Sequence, residues 1–205
     1  IEKVLEGDVI ERGIVALDAK FFSEIVRKLP DSEILLEITN NTAIISCEKA
    51  MFKIPCEDPE TYIHLPQFSK DNFICLSQYT LKEVIRQTIF SIAASDNNPI
   101  MGGELFEVKN NILRVCSLDG HRISIRRVEL RDEYPDFEVV VPGKTLSEIS
   151  KILTGEADSE VRIFFSRNHV SFEFDQTIVV SRLIDKKYFN VDQMPSRDYE
   201  TCVTV

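Results

Sequence analysis

The strongest constraint on this chain is that it repeats itself. Lys20, the triplet Ser23-Glu24-Ile25 and Leu29 recur as Lys144, Ser147-Glu148-Ile149 and Leu153, at a constant spacing of 124 residues. Downstream, Asp31-Ser32-Glu33 recurs as Asp158-Ser159-Glu160 and Asn41 as Asn168, at a spacing of 127. The slip of three places an insertion between the two matched blocks. A third copy starts at Leu81-Lys82-Glu83-Val84-Ile85; it is more diverged but keeps the order. Self-similarity on this scale means one supersecondary unit used several times, each copy burying its apolar face against a neighbour.

The unit reads as helix, hairpin, strand. Helical periodicity is confined to residues 17–30, 77–96 and 142–155. In the first, Phe21, Phe22, Ile25, Val26 and Leu29 share a face, Asp18 stands as a cap and Pro30 as a stop. Leu81, Val84, Ile85, Thr88, Ile89 and Ile92 form the second stripe, and Leu146, Ile149, Ile152 and Leu153 the third, with Gly155 as its carboxyl-terminal cap. Hairpins are expected at 33–38 with 43–47, 105–108 with 113–117 and 161–165 with 170–174, each turning on Asn-bearing residues. Third strands follow at 52–55, 122–127 and 178–183. One helix for three short strands points to an α+β fold, helices covering one face of antiparallel sheet. Two units make a domain, so the expected organisation is 1–71 as the second half of one domain with its linker, 72–188 as a complete domain, and 189–205 as a connector and the first strand of a third. The opening residue, Ile1, predicts a fragment or processed product.

Composition excludes more than it assigns. With 43% hydrophobic and 28% charged residues the chain is neither disordered nor low in complexity. A net charge of −10 argues against a generic nucleic-acid binder, although it does not say where the charges sit. No apolar run reaches the ~18 residues of a membrane span, and no amino-terminal stretch reads as a signal peptide. Five widely spaced cysteines (Cys47, Cys56, Cys75, Cys116, Cys202) without a CxxC pair read as reduced thiols of a cytoplasmic protein, not as a zinc or redox motif. No cofactor or metal site is expected.

Two patterns carry chemistry. SLDGHRI, residues 117–123, is the densest: Asp119-Gly120 signals a tight turn, and His121-Arg122 stands beside it as either an ordinary polar strand edge or a functional pair. An enzyme would use His121 as a base oriented by Asp119, but His64 and His169 fall in other repeats and no nucleophile, phosphate-loop or dinucleotide motif accompanies them. The second pattern is basic. Lys20 and Arg27, Lys82 and Arg86, and Lys144 and Lys151 recur on the helices with Glu24 and Glu148 between them. On one helix this is a solvated, ion-paired face; repeated on three helices it offers phosphates a common surface even on an acidic protein.

At these residues the chain resembles the bacterial DNA polymerase III β subunit family, the sliding clamps. Residues 102–125 (GGELFEVKNNILRVCSLDGHRISI) are similar to the family's "NG-LFE…L-ATDGHRLA" segment. Residues 138–153 (EVVVPGKTLSEISKIL) are similar to "VIVPRK-L-EL", residues 179–189 to "F-S-LIDG-FPDY", and ALDAKFFSEIVRKLP to the first-domain helix "VPARKF-DI-R-LP". Leu118 stands where the family usually has Thr, Gly143 where it has a basic residue, and Phe189 where it has Pro.

The resemblance implies a ring of three similar domains per subunit, closed head to tail as a homodimer around duplex DNA, with helices inside and sheets outside. It implies a non-catalytic processivity factor whose partners are duplex DNA, the polymerase catalytic subunit, the clamp loader and other proteins with a short binding motif. The DNA-facing residues would be Lys20, Arg27, Lys82, Arg86, Lys144 and Lys151. The peptide groove would use Asn98, Ile100, Met101, Leu118, Gly120, His121, Arg122, Ile123, Phe189, Gln193 and Met194. The alternative is a peptide-binding scaffold of the same fold that does not encircle DNA.

Overall fold

The computed structural model describes residues 1–194 except 63, 64, 67–69, 71 and 94–97. His64, Cys202, the strand expected at 199–205 and the end of the helix expected at 77–96 lie outside the described residues. The chain divides into two units, Glu6–Leu65 and the larger Ile1–Leu5 with Pro66–Val205. The first strand, β1 (Glu2–Lys3), belongs to the larger unit.

The smaller unit holds α1 (Ala19–Val26) and a three-stranded antiparallel sheet of β2 (Leu35–Thr39), β3 (Thr42–Cys47) and β4 (Ala50–Pro55), in that order. Asp18 caps α1 as expected, its Oδ1 accepting the Phe21 N–H at 2.9 Å. The helix stops earlier than the sequence pattern suggests. After Val26 the amides of Lys28 and Leu29 bond three residues back, a tightened turn that carries the chain to Pro30. Asn40 and Asn41 turn the hairpin with φ of 49° and 60°, the left-handed pair that suits a two-residue connection and that Asn tolerates. β3 alternates, burying Ala43, Ile45 and Cys47, whereas β2 is exposed at all five positions.

The larger unit contains β5 (Phe73–Ser77), α2 (Gln78–Thr88), β6 (Gly103–Lys109), β7 (Ile112–Leu118), β8 (Ile123–Glu129), β9 (Phe137–Pro142), α3 (Gly143–Ile152), β10 (Glu160–Phe165), β11 (His169–Phe174) and β12 (Thr177–Arg182). Two antiparallel sheets form, ordered β8-β7-β6-β9 and β1-β12-β11-β10-β5. The three expected hairpins and third strands are all present. β5 and β9 are additions to the sequence reading, and they set the architecture. Each leads into its own repeat's helix but pairs with the other repeat's hairpin, β5 with β10 and β9 with β6. The two repeats are therefore interlocked by exchanged strands.

The repeat also survives in the hydrogen bonds. The amide just beyond each third strand returns to the turn asparagine of its hairpin: Cys56 to Asn41 at 2.9 Å, Leu130 to Asn111 at 3.0 Å and Leu183 to Asn168 at 2.9 Å. Both helices bury their stripes in one core. Leu81, Val84 and Ile85 of α2 and Leu146 and Ile149 of α3 meet Phe106, Leu113 and Val115 of one sheet and Val161, Ile163 and Phe172 of the other. Fully burying side chains of this kind stabilises by about 1.5–3 kcal/mol each.

α2 is shorter than its periodicity suggests. At Thr88 the backbone leaves the helix, φ −121°, and continues as a 3-10 turn, Ile89–Ser91. The Thr88 carbonyl accepts the Ser117 hydroxyl at 2.5 Å, and the Thr88 hydroxyl, bonded to the Val84 carbonyl, meets the buried Glu104 carboxyl at 2.9 Å. α3 ends at Ile152, and Gly155 takes the left-handed conformation expected of it, φ +80°.

Candidate functional site

Along β6 the side chains alternate between two environments. Phe106 joins the helix-side core and Glu104 bonds Thr88 of α2. Leu105 faces the other way, into a second apolar cluster with Ile100, Cys116, Leu118, Val140, Tyr188 and Val191, all buried. Met101, Ile123 and Phe189 pack against this cluster half-buried. Five expected groove residues, Ile100, Met101, Leu118, Ile123 and Phe189, are thus brought together by one sheet face, the turn before β6 and the connector after β12.

The others take different places. Asn98 caps the 3-10 turn Pro99–Gly102, its Oδ1 accepting the Ile100 amide at 3.3 Å, so it holds Ile100 and Met101 in position. Gln193 and Met194 end the connector's 3-10 turn, Val191–Gln193, and are exposed. Sequence reasoning did not select Tyr188 or Val191. Tyr188 is buried with its hydroxyl donating to the Gly103 carbonyl at 3.4 Å, and burial pushes its phenol well above the usual range.

The turn at 119–122 is built by Asp119. One carboxylate oxygen accepts the amides of His121 and Arg122, at 3.0 and 3.2 Å, and the other takes Arg122 Nε at 3.0 Å. The His121 amide, helped by Arg122, holds this carboxyl below its ordinary value. Gly120 is there for its backbone, φ +87°; a Cβ would have open space around it. Gly120→Ala is expected to cost about 1–2 kcal/mol in denaturant unfolding, because alanine is strained at positive φ. The Arg122 guanidinium lies 5.8 Å from the centre of the Phe90 ring, and His121 is exposed. Among the described residues Asp119 therefore accepts from backbone amides and Arg122, and no hydrogen bond joins it to the His121 imidazole. Among the described residues no group of three or more His, Cys, Asp or Glu is placed to hold a metal ion.

The basic helix residues divide in two. Lys20, Arg27 and Lys144 are exposed, and their side chains have no hydrogen bond or ion pair among the described residues. The other three are engaged. Lys82 donates to the Leu153 carbonyl at 2.8 Å, tying α2 to the end of α3, where a cation also suits the helix dipole. Arg86 makes a two-pronged pair with Glu83, at 2.9 and 2.7 Å, and lowers that carboxyl's pKa; Lys151 pairs with Glu148 at 2.8 Å. Both pairs form at a spacing of three, not four.

Interlocked helix-plus-sheet repeats with an apolar cluster on the outer sheet face define the DNA-clamp fold class, and comparison with known proteins gives the family. The model of the DNA polymerase III beta subunit central domain matches residues 75–190, and that of its N-terminal domain residues 1–66. The chain belongs to the DNA polymerase III beta subunit family. It is 33% identical to the beta sliding clamp of Staphylococcus epidermidis over 98% of this chain and 54% of that protein. A crystal structure from Eubacterium rectale assigned to the same subunit superposes with a TM-score of 0.91 at 56% identity, covering 96% of this chain and 54% of that one. The DNA polymerase sliding clamp of Bacillus subtilis gives a TM-score of 0.87 at 34% identity, covering 95% of this chain and 53% of that one. The chain spans about half the length of the curated relatives it matches.

Proposed function

We propose that this chain is part of a DNA sliding clamp, a non-catalytic processivity factor that holds a replicative polymerase on duplex DNA in the cytoplasm. The observation that carries the reading is the match of the whole described architecture to clamps, with both helices of the larger unit on the side of the sheets opposite the apolar cluster. A clamp keeps DNA by topology, so it needs only weak, salt-dependent attraction to phosphates. Lys20, Arg27 and Lys144 supply uncommitted charge. Arg86 and Lys151 are partly neutralised by Glu83 and Glu148, Lys82 is tethered to the Leu153 carbonyl, and these three contribute less. The apolar cluster and the 119–122 turn receive a short peptide from the polymerase, the loader and similar partners.

The domain plan follows the same logic. In the larger unit the first strand of each triple is flanked by an exchanged strand. β2 has no such neighbour among the described residues, and its Leu35, Leu36 and Ile38 are 46–48% exposed. Residues 1–71 are then the second half of a first domain, 72–188 the central domain, and 189–205 the connector and opening of a third. The complete subunit closes head to tail as a homodimer.

The test is retention of the full-length protein on circular against linearised DNA. A clamp stays on circles and slides off ends, whereas a scaffold that does not encircle DNA treats both alike. Reversing Lys20, Arg27 and Lys144 to Glu is expected to shorten retention and flatten its salt dependence, while reversing Arg86 and Lys151 has the smaller effect. Equal effects of the two sets on retention would overturn the division.

A further inference from the structure

The connector that supplies Phe189, Gln193 and Met194 is fixed at three points. Tyr188 is buried and bonded to Gly103, and Val191 is buried in the apolar cluster. The third point is electrostatic. Arg114 of β7 reaches Asp192 with Nη1 at 2.6 Å and Glu107 of β6 with Nε at 2.7 Å. The Arg114 side chain is 15% exposed and Asp192 is 66% exposed. Beyond this contact the turn is held by two backbone bonds, Gln193 to Asn190 at 3.2 Å and Met194 to Val191 at 3.3 Å, with no side-chain cap.

The two carboxylates are not equivalent. Glu107 lies directly across the β6–β7 ladder from Arg114, so that pair is set by strand register. Asp192 lies exposed on a short turn outside the sheet, so no strand register fixes it. If Asp192 lets go, Arg114 keeps the Glu107 charge 2.7 Å away, although its Nε makes no hydrogen bond there. Release therefore costs the hydrogen bond to Asp192 but does not strand the guanidinium without a counter-charge.

We propose that Arg114 and Asp192 form a releasable latch, with Arg114 a positioning residue that sets the connector wall of the peptide groove. The inference rests on the peptide-groove reading above. Closed, the latch holds the last turn of the connector beside the apolar cluster. Open, it frees Gln193 and Met194 to fit a different peptide. Because one partner is exposed, salt favours the open state.

The experiment is calorimetric titration of the full-length protein with an uncharged apolar hexapeptide, acetylated and amidated, at low and high salt. It is accompanied by hydrogen exchange of amides 190–194. Wild type is expected to lose affinity about 2–5-fold between low and high salt, the range of a partly exposed ion pair. Asp192→Asn is expected to bind at the weaker level at both salts and to exchange faster in the connector, and Asp192→Glu to recover the salt response. An Asp192→Asn variant with wild-type affinity, salt response and exchange overturns the latch. No binding by wild type overturns the groove reading and the latch's part in it, and the exchange data then separately report whether the ion pair holds the connector.

Discussion

Replacing Glu104 with glutamine is expected to make the larger unit more stable at neutral pH and to remove most of one pH-dependent component of its stability. Glu104 is fully buried on β6, one oxygen meets the Thr88 hydroxyl, and the other has no hydrogen-bond partner among the described residues. Burial raises its pKa from 4.5 to about 8, against the small lowering effect of Thr88. The folded protein keeps a proton here that the unfolded chain gives up above pH 4.5. Stability from this group is therefore full below pH 4.5, falls as pH rises, and levels off above about 8. At ~1.4 kcal/mol per pH unit, the loss by pH 7 is about 3 kcal/mol. Glutamine places a neutral amide there whose carbonyl oxygen can still accept the Thr88 hydroxyl. The check is urea unfolding of both proteins from pH 4 to 9. The difference between the curves isolates Glu104, and parallel curves would show that the acid is not held neutral.

Gly103→Val is expected to destabilise the larger unit by about 3 kcal/mol, at the upper end of overpacking. A Cβ at Gly103 would lie 2.7 Å from Ile184 Cδ1, 2.9 Å from Val140 Cγ1 and 2.9 Å from the Val141 carbonyl. Side-chain ends can shift, but that carbonyl belongs to β9 and is fixed by the ladder to β6. Displacing Gly103 also disturbs the carbonyl to which Tyr188 donates, so the connector should loosen as well. Gly102→Ala is the control, since a Cβ there meets nothing within 4 Å. Thermal unfolding of the two variants checks the contrast; similar melting points for both would place the tight contact elsewhere.

Much of this was legible in the sequence for a definite reason. Helix stripes, Asn turns and hairpins are local, and repetition printed them three times. β5 and β9 escaped because their partners are remote: Phe73–Ser77 pairs with Glu160–Phe165, and Phe137–Pro142 with Gly103–Lys109. Read alone, each looks like the approach to a helix. The early end of α2 was hidden similarly, since the Ser117 hydroxyl that takes the Thr88 carbonyl arrives from another strand. In the groove, the resemblance selected Ile100, Leu118 and Phe189, but not Tyr188 or Val191, which support them from within. Spacing showed which helices carry cations. It did not show that Lys82 reaches the Leu153 carbonyl, 71 residues on.

The exchanged strands also dictate an order of events during synthesis. A ribosome delivers β5, α2 and the hairpin of the first repeat well before the second repeat exists. At that stage β6 lacks β9 along one edge, and β5 has nothing to pair with until β10 emerges, more than 80 residues later. The first repeat leaves the exit tunnel as an incomplete sheet with open edges, and neither half can settle by itself. The sheet of β6 to β9 can close once β9 emerges, whereas the sheet that takes β5 waits for the second hairpin, β10 and β11. Long-range pairing of this kind slows folding and prolongs the exposure of bare strand edges. Nascent chains halted inside the second repeat would therefore be the aggregation-prone species, and the finished domain would unfold as one cooperative block, not repeat by repeat.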